Sequence, residues 1–146
     1  MSHRRTPRTF IWVALGIQFA GLLFDYAWHG LNPDFKAVTV REMITHLSTV
    51  HLPIYIGVLS VLVTTTWALI GQMWQSQSGI ALPVAFVGVL VAAAGEAWHA
   101  YTHLLLSTHS GPIAGTTAFV GFIVVVAALW LAGRHERRRA VDGIDQ

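Results

Sequence analysis

Four apolar runs, 10–31, 52–73, 80–106 and 113–133, take up most of the chain and are separated by polar breaks. Each is long enough to cross a hydrocarbon core ~30 Å thick, which takes about 20 helical residues. The pattern predicts an all-α integral membrane four-helix bundle. A single transmembrane domain, 10–133, lies between two tails, 1–9 and 134–146. The only long break joins the first two runs, and within it Val40, Met43, Ile44 and Leu47 recur at helical spacing. That periodicity predicts an amphipathic segment over 38–50, resting at the membrane interface. The first run follows the basic string "SHRRTPR", as the apolar part of a signal peptide would, but it ends in "FDYAWHG" without an A-x-A-like cleavage site. It is read as a retained helix.

Charge adds an orientation. Arg4, Arg5 and Arg8 precede the first run, and Arg134, Arg137, Arg138 and Arg139 follow the last, so seven of the nine Lys and Arg residues lie in the tails. Four crossings put both tails on one side, and the positive-inside rule makes that side cytoplasmic. The expected location is a bacterial or archaeal cytoplasmic membrane. The net charge of +2 then reflects topology and contact with anionic lipid, and gives no support to nucleic-acid binding. The absence of cysteine excludes disulfides, Fe–S clusters and thiolate metal sites.

The chain also echoes itself. "YAWHG" at 26–30 resembles "EAWHA" at 96–100, and "STVHLPI" at 48–54 resembles "STHSGPI" at 107–113. The expectation is two repeated helical hairpins related by an axis along the membrane normal. Trp28 and Trp98 beside the paired histidines, with Trp12, Trp74 and Trp130 at the other ends, read as an aromatic belt. "AAAG" before Glu96 reads as a close helix contact.

Candidate chemistry gathers at one level. His3 and His135 belong to the tails, whereas His29, His46, His51, His99, His103 and His109 all fall near the outer ends of the four runs. Asp25 and Glu96, the only acidic residues inside apolar runs, fall in the same layer. Asp25 and His29 are i,i+4 and share a helix face. Glu96, His99 and His103 are i, i+3 and i+7 and stack along one face of the third run. His46 and His51 are five apart, about 140° around a continuous helix, and can share a centre only if the chain bends before Pro53. A carboxylate at the bilayer centre costs about 2.5–3.5 kcal/mol, and no Lys or Arg lies within the four runs to neutralise these two. A metal ion would satisfy carboxylates and neutral imidazoles together.

The Glu-x-x-His spacing occurs in soluble di-iron four-helix bundles, and His-x-x-x-His sets two imidazoles on one face for a single ion. "HAYTH" resembles, in spacing alone, the histidine boxes of membrane-bound desaturases and hydroxylases. Asp25-x-x-x-His29 resembles, again in spacing alone, a copper site of membrane methane and ammonia monooxygenases. No family is assigned from either. Asp25, His29, His46, His51, Glu96, His99, His103 and His109 are thus the expected ligands of transition-metal ions, Fe, Cu or Zn, with two ions fitting so many donors. The expected function is a small membrane metalloprotein, a candidate oxidoreductase, with its centre facing outside. Two alternatives stand beside it: a haem b electron-transfer subunit, and a non-catalytic metal-binding or assembly subunit. The expected partners are the lipid bilayer and a homo-oligomer or larger membrane complex.

Overall fold

The computed structural model describes residues 5–76, 79–106 and 111–142. Among them there are five helices and no strand: α1 (Arg5–Leu31), α2 (Val40–Thr49), α3 (Leu52–Trp74), α4 (Ala81–Leu104) and α5 (Gly111–Asp142). The segments Arg8–Leu31, Leu52–Trp74, Ala81–Leu104 and Ile113–His135 are long and apolar enough to cross a membrane.

Local chemistry explains most of the boundaries. Thr39 caps α2, accepting the Glu42 N–H through its hydroxyl at 3.2 Å, while the Glu42 carboxylate accepts the N–H of Val38 at 2.9 Å. Pro53 stands in the first turn of α3, where its missing N–H leaves no helical bond unmade. The third apolar run extends to 106, but α4 stops at Leu104 because Leu106 takes a left-handed φ of 52°. The Leu106 N–H then bonds back to the His103 carbonyl at 2.9 Å. Ser76, with φ 49°, ends α3 in the same way. At the other extreme, α5 carries its helix through the basic segment 134–139 to Asp142, beyond the end of its apolar run at 133.

The closest packing is between α4 and α5 and between α1 and α3, with a lesser contact of α3 on α4. Glycine permits both close pairs. A Cβ on Gly57 would overlap the backbone of Gln18, and one on Gly21 would stand 2.7 Å from the Ile54 nitrogen. Across the other pair, a Cβ on Gly95 would overlap Ala118, and one on Gly121 would overlap Ala92 and the Gly88 carbonyl. Small residues let helix backbones approach where lipid supplies no hydrophobic drive to associate, so the "AAAG" string does have the packing role expected of it.

The apolar core fills one half of this assembly. It comprises Ile11, Ala14 and Leu15 of α1, Val61 and Ala68 of α3, Ala85 and Val89 of α4, and Phe122, Val125, Ala128 and Leu129 of α5. Outward from it Leu59, Val63, Trp67, Val87, Val120 and Ile123 are exposed, a surface suited to hydrocarbon and not to water. The other half, toward the C-terminal ends of α1 and α4 and the N-terminal end of α3, is where the polar residues collect. There α2 packs on α3 and α4 through Met43, His46 and Leu47.

Candidate metal centre

Three helix ends and α2 deliver five imidazoles to one place. His29 comes from the last turn of α1, His46 from the last turn of α2, His51 from the N-cap of α3, and His99 and His103 from the final turns of α4. The bend that His46 and His51 require is present. Helix α2 ends at Thr49, Val50 caps it, and α3 starts at Leu52. As a result His46 Nε2 and His51 Nε2 stand 3.2 Å apart. The i,i+4 pair on α4 behaves as its spacing predicts, with His99 Nε2 and His103 Nε2 separated by 3.0 Å.

His51 is the hub. Its side chain is 1% exposed, and its ring lies 4.9 Å from that of His46, 5.3 Å from those of His99 and His103, and 5.8 Å from that of His29, centroid to centroid. Two triads of ligand atoms result, each within 4.8 Å: His29, His46 and His51, and His51, His99 and His103. Asp25 stands behind the hub, its Oδ1 3.3 Å from His51 Nδ1 and 3.5 Å from His29 Nε2. Two donors at 2.0–2.1 Å from a tetrahedral ion are about 3.3 Å apart, and about 2.9 Å at a right angle. The His46–His51 and His99–His103 separations, 3.2 and 3.0 Å, fall in that interval, while the atoms of each triad lie within the wider 4.8 Å.

Several of these atoms make no hydrogen bond. Asp25 Oδ1 and the Nδ1 atoms of His46, His51 and His99 are buried without a partner in hydrogen-bonding geometry. Each such group costs about 1–3 kcal/mol when left unmet, so the cluster is arranged for something more than its own packing. Among the histidines outside the spans, burial is the main cause that holds His46 down to about 4, followed by the nearby His29 and His103. Burial likewise pushes His51 down to about 3, followed by His99, His103, His46 and His29. Both rings are therefore neutral at pH 7, the form that ligates metal.

The sign of the pH effect follows. Below about pH 6.5 the unfolded chain takes up protons that these two folded imidazoles refuse, so acidification favours unfolding. Metal-free protein is expected to lose thermal stability as pH falls from about 6.5 toward 4 and little between about 8 and 7, in melts followed by circular dichroism. A midpoint indifferent to acid would show the rings to be hydrated.

The expected ligands are not all equivalent. Asp25, His29, His46, His51, His99 and His103 converge as described. Glu96 is buried, 7% exposed, one turn before His99 on α4, but it belongs to neither triad. His109 lies outside the described residues.

Two further neighbours are not evident from the sequence. Tyr55, one turn after His51, stacks on it at 6.2 Å, with its hydroxyl buried and without a partner. Its i,i+4 offset from His51 is the available signal. Trp28 reads as part of the aromatic belt, yet it packs against His46 at 4.5 Å and Phe35 at 4.9 Å, and so walls the cluster. No protein-family model matches the chain, and no curated protein or solved structure matches it either.

Proposed function

We propose that this chain is a small multi-pass membrane metalloprotein, a four-helix bundle with cytoplasmic termini and a transition-metal centre at its extracytoplasmic end. The observation that carries the proposal is the pair of triads interlocked through His51, drawn from four separate helices. Imidazole with carboxylate suits Fe, Cu or Zn, and two triads suit two ions. One ring nitrogen ligates one ion, so two ions would share His51 as a bridging imidazolate, one at each nitrogen, with Asp25, 3.3 Å from Nδ1, a further ligand on that side. Glu96, buried one turn before His99 and outside both triads, serves as a proton acceptor. Iron or copper here would supply one-electron chemistry to an oxidoreductase, and zinc would activate water.

A second reading draws on the gradient of exposure across the cluster. His29 is 42% accessible while His51 is 1%, as suits an ion taken in at the rim and held deeper. A non-catalytic metal-binding or assembly subunit would use the same residues in this way.

Metal analysis of detergent-purified protein tests the shared core of both. The expected content is close to two equivalents of Fe, Cu or Zn per chain, one for each triad, with no Soret band. Protein that carries no metal and takes up none on titration would end the proposal. Turnover of a redox dye by the loaded protein, lost in Glu96→Gln with the metal retained, separates the oxidoreductase from the carrier.

A further inference from the structure

A cavity of about 410 Å³ opens beside the cluster, walled by Trp28, Phe35, Arg41, His46, Thr49 and Val50. That is within the range of ligand pockets, roughly 300–1,000 Å³. Its walls are mostly apolar. The hydroxyl of Thr49 donates to the Thr45 carbonyl at 2.8 Å, and that of Thr45 to the Arg41 carbonyl at 3.0 Å, so neither calls for a ligand. The Glu42 carboxylate at the rim is engaged by the Val38 N–H. Arg41 differs, because its guanidinium is paired with no carboxylate among the described residues. Leu31, Val38, Val40 and Ile44 are exposed around the same segment, which sets the mouth in the lipid interface rather than in bulk water.

We infer that this cavity admits a single-chain amphiphile with an anionic head from the adjoining leaflet. Arg41 receives the head, and the chain lies along Trp28, Phe35 and Val50 against His46. Arg41 is the group there that would take an anion, since the Glu42 carboxylate that also lines the cavity is turned to the Val38 N–H and no ion pair joins the two. The apolar wall commits it to a lipid-phase molecule. His46 is both a wall of the cavity and a member of a triad, so the occupant is the substrate class of the metal centre. That last step rests on the metal-centre proposal, while occupancy of the cavity does not.

The probe is dibrominated stearate, whose bromines quench tryptophan, compared with the dibrominated alcohol of equal chain length, both titrated into full-length protein in nanodiscs. Saturable quenching is expected for the carboxylate and is lost in Trp28→Phe. Arg41→Gln is expected to weaken carboxylate binding about tenfold and leave the alcohol unchanged. Thr49→Phe, a change at an exposed position, fills the cavity and should abolish both. Quenching that never saturates, or that ignores Arg41→Gln and Thr49→Phe, is annular lipid and overturns the inference. Titration of the metal-free and Co(II)-loaded forms separates the two proposals. Stearate binding to protein that takes up no cobalt leaves the cavity standing without the centre. Cobalt uptake without Arg41-dependent binding leaves the centre without the cavity. Binding that leaves the Co(II) bands unmoved overturns the substrate assignment.

Discussion

His51→Ala is expected to empty both metal positions at once while the helices stay inserted. No other single change should do so, because His51 alone belongs to both triads and is 1% exposed at their junction. His29→Ala and His103→Ala each touch one triad, and each should lower metal content toward one equivalent per chain. Asp25→Asn keeps all five imidazoles but removes the carboxylate donor on the Nδ1 side of His51, and should weaken the ion on that side and spare the other. The measurement is metal content per chain, read beside far-ultraviolet circular dichroism. His51→Ala protein that keeps one equivalent would show that the triads do not share their hub. Loss of helix along with the metal would assign His51 a packing role, and His51→Gln, closer in size, would then retain the fold.

The second large effect concerns stability. Gly57→Ala and Gly121→Ala are each expected to destabilise the protein by about 1–3 kcal/mol, since the new methyl meets backbone rather than a movable side chain. The two glycines lie in different helix pairs, Gly57 against α1 and Gly121 against α4, so their effects should nearly add. At Gly16 and Gly71 an added methyl would meet nothing within 4 Å, and alanine there should be neutral or stabilise by about 0.5–1 kcal/mol. Thermal or denaturant unfolding in detergent reads both signs in one series. Equal effects at the two kinds of glycine would mean that the close helix contacts contribute nothing.

Much of this is legible in the order of residues because a bilayer leaves few choices. Apolar runs of some 20 residues become helices since every backbone group must be met within the segment, and four such helices are present. The i,i+4 pairs Asp25–His29 and His99–His103 need only the helical period, and each is found in contact. His46 and His51 need a bend, and Pro53 signals one. What stays hidden depends on tertiary contact. Nothing in the string reveals that Trp28 turns toward His46 rather than to the membrane surface, or that Tyr55 stacks beneath His51. Helix ends are hidden for a different reason. Leu106 is apolar, so hydropathy runs through it, while its left-handed φ has already closed the helix. Glu96 shares a face with His99 as its spacing requires, yet sharing a face does not bring it within either triad.

The modest contact between α3 and α4 has a thermodynamic consequence. One helical hairpin, α1 with α3, is tightly joined, as is the other, α4 with α5, and the seam between them is the weaker joint. His51 stands on one side of that seam and His99 and His103 on the other. An ion held by all three would be a rivet across it, and its binding energy would be spent on holding the halves together as much as on the ion itself. By linkage, whatever loosens the seam lowers metal affinity by the same factor that metal tightens it.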